Sequence, residues 1–178
     1  MTTFIGLLRG INVGGHRRIK MADLKRLLEN LGLHEVQTYI QSGNVLFESE
    51  HDVSLLGQQI QQEIQAVFGF DVPVILRTAA ELDRLIENSP FAVMPGLNVA
   101  FLAAKPTQEA VHELVSYDAG DDKFSISDMD IYVLYQGDVR KSLLTTNFFE
   151  KKLKVSLTVR NWNTIITLAT LSKKNKDI

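Results

Sequence analysis

Three short stretches of the chain concentrate the residue types that bind or react with ligands. The first runs from Arg9 through GINVGG to Lys20. Its consecutive glycines, Gly14 and Gly15, let backbone N–H groups converge on an oxygen-rich anion. Arg9 and Lys20 can add charge-assisted hydrogen bonds, and Asn12 can orient a ligand amide or hydroxyl. This is neither of the standard nucleotide loops. Gly10 and Gly15 have the spacing of a P-loop, but His16 and Arg17 stand where its lysine and hydroxyl belong. The glycines do not match G-x-G-x-x-G either. The alternative is a turn whose glycines simply take positive φ.

The second stretch, TYIQSGN, carries Tyr39, Gln41, Ser42 and Asn44 close together. Strand alternation predicts Val36, Thr38 and Ile40 on one face and Tyr39 with Gln41 on the other. A solvent-facing strand ending in an Asn/Ser turn is the plainer account. The third stretch, RNWNT, holds Arg160, Asn161 and Trp162 where a strand gives way to a helix. Asn161 or Asn163 can cap that helix. Trp162, the sole tryptophan, is either core or a stacking wall for a base or sugar.

Other chemistries find little purchase. The chain has no cysteine, which removes disulfides, thiolate nucleophiles and cysteine metal sites. None of the four histidines lies at i, i+3 or i+4 from another, so no metal is expected. No G-x-S-x-G elbow is present. The stretch DAGDDKFSISDMD lacks the residue order of a calcium loop and reads as a solvated turn. The cofactor, if there is one, is unknown from the sequence.

The elements that must position these residues follow from periodicity. TFIGLLR is apolar and strand-like; MADLKRLLENLG spaces Leu24, Leu27, Leu28 and Leu31 as a helix ending at Gly32. EVQTYIQ and VLFES flank SGN as a hairpin. VSLLGQQIQQEIQAVFG places Leu56, Ile60, Ile64 and Phe68 on one helical stripe, and VPVILRT is a strand. A further helix, AAELDRLIENSP, closes this half. The resulting β-α-β-β-α-β order is the ferredoxin-like split βαβ unit.

The second half repeats it. NVAFLAA, KFSIS, IYVLYQ and VSLTVR read as strands, and PTQEAVHELVSY, TNFFEKKL and NWNTIITLATLSK as helices, with Thr146 or Asn147 capping the second. VPVILRTAAELDRLI laid on VSLTVRNWNTIITLA places Arg77 on Arg160, Leu82 on Ile165 and Leu85 on Leu168. The expected architecture is α+β: two related ferredoxin-like halves with antiparallel sheets and a C-terminal helix. The halves are placed at residues 1–88 and 89–178, with the join near 88–97.

Hydrophobic residues make up 45% of the 178 and charged residues 22%, enough to build a core. Net charge is −2, unevenly spread. Residues 9–26 carry six basic residues against Asp23, a local +5; residues 139–178 carry nine against Glu150 and Asp177, a local +7. The middle is therefore acidic by 14 charges, and the basic ends can attract anions. The tail SKKNKDI reads as solvated lysines. The N-terminal run reads as a strand rather than a targeting segment, and no apolar run reaches membrane length. A cytoplasmic protein is expected, with no membrane partner. Its oligomeric state is unknown from sequence, with a monomer favoured.

LLRGINVGG, IKMADL, TYIQSGNVLFES, FEKKL and RNWNT, in this order, closely resemble a bacterial family known as domain of unknown function 1697. The resemblance spans nearly the whole chain and implies an α+β fold of two related ferredoxin-like parts. It implies no activity. The family's characteristic positions map onto Arg9, Gly10, Asn12, Gly14, Gly15, Lys20, Met21, Tyr39, Gln41, Ser42, Gly43, Asn44, Arg160, Asn161, Trp162 and Thr164. Most lie in loops or at strand ends, where binding residues gather. His16 and Arg17 fall in a stretch that varies in the family.

The best-supported expectation is a protein that binds a phosphorylated or anionic ligand, a nucleotide or single-stranded nucleic acid. GINVGG, QSGN and RNWNT would together build its polar pocket. Two other classes stay open. In an enzyme acting on a small anionic substrate, Tyr39, Ser42 or Lys20 would supply acid, base or nucleophile. In a protein–protein adaptor, the loops are polar only for folding reasons.

Overall fold

The computed structural model describes residues 1–174; the last part of the lysine-rich tail lies outside the described residues. Two compact units emerge: Met1–Arg84 together with the chain from Ile166 on, and Leu85–Ile165. Each is built on a four-stranded antiparallel sheet.

In the first unit the elements are β1 (Thr2–Leu8), α1 (Met21–Asn30), β2 (His34–Tyr39), β3 (Asn44–Ser49), α2 (Val53–Phe68) and β4 (Val74–Thr78), followed by α3 (Ala79–Glu87). The sheet order is β2-β3-β1-β4. Strand β1 is buried on both faces because its side chains alternate. Phe4 and Leu8 join Leu24, Leu27, Leu28, Leu56, Ile60 and Ile64 in one apolar core under α1 and α2. Helix α2 starts where the Asp52 carboxylate accepts from Ser54 N at 2.9 Å, which satisfies one of the free N–H groups at a helix start. It ends at Gly69, in the left-handed conformation. The stripe predicted on α2 holds through Ile64, but Phe68 at the helix end is only half-buried.

The second unit repeats the plan with β5 (Leu97–Leu102), α4 (Gln108–Val115), β6 (Lys123–Ser127), β7 (Asp130–Leu134), α5 (Thr146–Leu153) and β8 (Leu157–Asn161); α6 (Trp162–Lys174) follows. Its order, β6-β7-β5-β8, is the same permutation of strands. The fold is therefore the expected duplicated ferredoxin-like α+β arrangement with a C-terminal helix. Ala100, Leu102, Ile131 and Val133 pack with Leu114, Phe149 and Leu153 beneath α4 and α5. Helix α5 is capped one residue earlier than predicted, by Thr145, whose hydroxyl accepts from Phe148 N at 3.1 Å.

The aligned arginines occupy matching places. Arg77 lies opposite Ile5 in the β1–β4 ladder, and Arg160 opposite Val99 in the β5–β8 ladder. Both are buried. In each, Nη1 donates to the preceding carbonyl: Arg77 to Leu76 O at 2.9 Å and Arg160 to Val159 O at 3.0 Å.

A further local expectation fails in β2. Ile40 does not continue the β2 alternation with Val36 and Thr38. Strand β2 ends at Tyr39, and Ile40 turns out of it at φ +49°, half-exposed in the hairpin turn. A left-handed residue ends the two-residue period, so Tyr39 and Gln41 are not strand neighbours on one face.

A candidate ligand groove beside the first helix

The pairing of β1 with β3 brings two of the three polar stretches together. The end of β1 lies beside the start of β3, with Leu7 opposite Asn44. The loop after β1 and the turn before β3 are therefore neighbours. Leu8 N donates to Gly43 O at 2.8 Å. Gly43 has φ +89°, and a Cβ there would stand 2.8 Å from both Leu8 Cβ and Ile11 Cδ1. Only glycine lets the turn come this near.

Asn12 locks the two loops. Its Nδ2 donates to Ile19 O at 3.0 Å and Gln41 O at 2.8 Å, while its Oδ1 accepts from Ile19 N at 2.9 Å. Buried Ile11 and Ile19 anchor the ends of the loop. Between them, Asn12 N donates to Arg17 O at 3.1 Å and His16 N to Val13 O at 3.1 Å. The excursion is a small closed ribbon with Gly14 and Gly15 at its tip. In the turn, fully buried Asn44 donates from Nδ2 to Tyr39 O and Ser42 Oγ, each at 3.0 Å. Asn12 and Asn44 thus hold the carbonyls on both sides of Ile40.

These loops border an open groove of about 550 Å³. Asn12, Gly15, Lys20 and Gln41, all predicted, line it. So do Arg18 and Asp23, and its apolar wall is Ile19, Met21 and Phe68. Helix α1 begins at this wall. Its N-cap residue is Lys20, with extended backbone and no side-chain cap, so the first turn presents backbone N–H groups without a side-chain acceptor. Asp23 faces Arg26 at 3.6 Å. Among the described residues, Arg18 and Lys20 have no carboxylate partner. A positive helix end beside two unpaired cations favours an anion.

The equivalent place in the second unit is built differently. Twelve residues (9–20) join β1 to α1, but only five (103–107) join β5 to α4. There the Thr107 hydroxyl caps the helix, accepting from Ala110 N at 3.2 Å. The two copies share a sheet order but not this loop.

None of the remaining predicted residues is among the groove's lining. Arg9 is half-buried, and its backbone N–H donates to Pro73 O at 3.0 Å. Arg9, Gly14, Tyr39, Ser42 and Asn44 are not among the groove's lining. RNWNT belongs to the second unit. There Asn161 Oδ1 accepts from Thr164 N at 2.9 Å, capping α6, and Trp162 is 6% exposed. Arg160 Nη1 also donates to Thr158 Oγ1 at 2.7 Å, and burial pushes its pKa down to about 10. Of the groove's lining, sequence reasoning did not single out Arg18, Ile19, Asp23 or Phe68. The signal for Phe68 was its place as the last member of the α2 stripe, next to the terminating Gly69.

Among the described residues no helix is long and apolar enough to cross a membrane, and no three His, Cys, Asp or Glu side chains gather as a metal site needs. No protein with a curated description matches the chain. The solved structure of the conserved bacterial protein SP0830 from Streptococcus pneumoniae is similar over 97% of this chain and 99% of that one. Its TM-score is 0.75 at 24% identity, a likeness of fold. A family model described as "Protein of unknown function (DUF1697)" matches residues 1–132, which include both groove loops. The chain belongs to the DUF1697 family.

Proposed function

We propose that this protein binds a phosphorylated or otherwise anionic small ligand in the groove between the 9–20 loop and the 40–43 turn. The observation that carries the reading is the start of α1. It lacks a side-chain cap and opens beside Arg18, Lys20 and the Gly15 backbone. Backbone N–H groups at a helix start and two cations form a donor set suited to phosphate oxygens. The groove volume falls within the range of about 300–1,000 Å³ typical of small-molecule sites. Nucleotides and the ends of single-stranded nucleic acids both carry the required group. In this reading RNWNT is not needed for the anion: Asn161 serves as a cap and Trp162 as a buried side chain.

The test is calorimetric titration of the full chain with pyrophosphate, ribose 5-phosphate and nucleotides. Saturable binding is expected. Arg18→Ala and Lys20→Ala each remove one charged hydrogen bond, about 1.5 kcal/mol or roughly ten-fold in affinity. Absence of saturable heat with every phosphate would refute the reading.

A further inference from the structure

The groove has two chemically distinct ends. Arg18, Lys20 and the α1 start supply charge; Phe68, Met21 and Ile19 supply apolar surface. Phosphate alone has no use for an aromatic wall. Phe68 terminates α2 and is half-buried. Phe70 backs it, with ring centroids 6.4 Å apart and planes inclined by 29°. The pair packs against the apolar core, so the Phe68 ring is held in place rather than free to swing. Gln41, on the turn, is exposed and brings an amide with both donors and acceptors to the same groove.

Resting on the anion reading above, we propose that the ligand is a single nucleotide, its base stacked on Phe68 and its phosphate at Arg18, Lys20 and the α1 start. Gln41 reads the base edge. A mononucleotide fits better than a polymer because the basic charge at the groove is a local patch on a chain that is slightly acidic as a whole. Its net charge is −2 and its isoelectric point about 6.1, whereas nucleic-acid-binding domains are commonly basic, with pI above about 9. Aromatic stacking holds any base by its π-face, and amide groups then discriminate among bases.

The experiment compares adenosine monophosphate, ribose 5-phosphate and a short single-stranded RNA on the full chain by calorimetry. Wild type, Phe68→Ala and Phe68→Leu are tested, with a thermal melt of each. Phe68→Leu keeps the apolar body and removes the π-face, so it remains informative if the alanine variant fails to fold. The expected result is that the mononucleotide binds about ten-fold or more tightly than ribose 5-phosphate. Phe68→Leu should erase that margin while leaving ribose 5-phosphate binding unchanged. Equal binding of both sugars' phosphates, unaltered in Phe68→Leu, overturns base stacking and leaves the anion groove standing. Binding of the RNA alone, with a steep salt slope, overturns the mononucleotide in favour of a polyanion. No binding by any of the three overturns both readings.

Discussion

Replacing Ile40 with asparagine isolates the strain in the β2–β3 turn. A β-branched residue at φ +49° is a steric outlier, and left-handed backbone costs a non-glycine residue about 1–2 kcal/mol. Asparagine tolerates this region because its short polar side chain bonds locally. Little packing is lost, since Ile40 is 49% exposed. Asparagine also avoids the extra unfolded-state entropy that glycine brings. The expected gain is about 1 kcal/mol, which corresponds to a rise of roughly 2–4 °C in Tm for a chain this long. Urea unfolding at 25 °C with an unchanged m-value measures it directly. A neutral or destabilising Ile40→Asn would refute the argument, because the isoleucine side chain would then be contributing more than its backbone costs. The strain persists because the neighbouring carbonyls are pinned: Tyr39 O by Asn44 and Gln41 O by Asn12. Strained residues held this way gather at binding sites, and Ile40 sits directly before groove-lining Gln41.

Asn12→Ala removes two hydrogen bonds within the 9–20 loop and one to the 40–43 turn; it should cost about 2–4 kcal/mol in urea unfolding and weaken phosphate binding together. Asn161→Ala removes the α6 cap and should cost about 1 kcal/mol with phosphate binding unchanged in calorimetry. Hydrogen bonds from the Ser54 backbone and side chain hold the Asp52 carboxylate below its ordinary range. The folded state therefore prefers this carboxylate ionised. Its contribution is fully present above about pH 4–5 and is lost as pH falls through the lowered folded value. Asp52→Asn should flatten the acid limb of a Tm-versus-pH curve by lowering Tm above about pH 4–5, with little change at lower pH where Asp52 is already protonated.

The elements were readable because each depends on local pattern. Leu24, Leu27 and Leu28 share a helical face whatever the rest of the chain does, and all three are buried. The meeting of GINVGG with QSGN was readable one step later. Once the ferredoxin-like order is accepted, antiparallel pairing of β1 with β3 sets the end of one beside the start of the other. No such pairing joins RNWNT to β1: its strand, β8, pairs with β5. Ile40 was hidden because its side-chain type argues for strand, and the left-handed turn is imposed by hydrogen bonds from residues on either side. Phe68 was hidden because stripe spacing marks a face of α2, not where along that face the core ends. Arg18 was hidden for a different reason: an exposed arginine in a glycine-rich loop shows no periodicity at all.

Asn12 gives the groove two walls but one latch. Neither the ribbon nor the turn can move outward alone without breaking a bond to the same side chain. The shape of the open groove is therefore fixed by the fold itself, before any ligand arrives. An incoming molecule meets walls whose conformational entropy has already been lost in folding. Its affinity is then set by the contacts it makes and not by the work of arranging them.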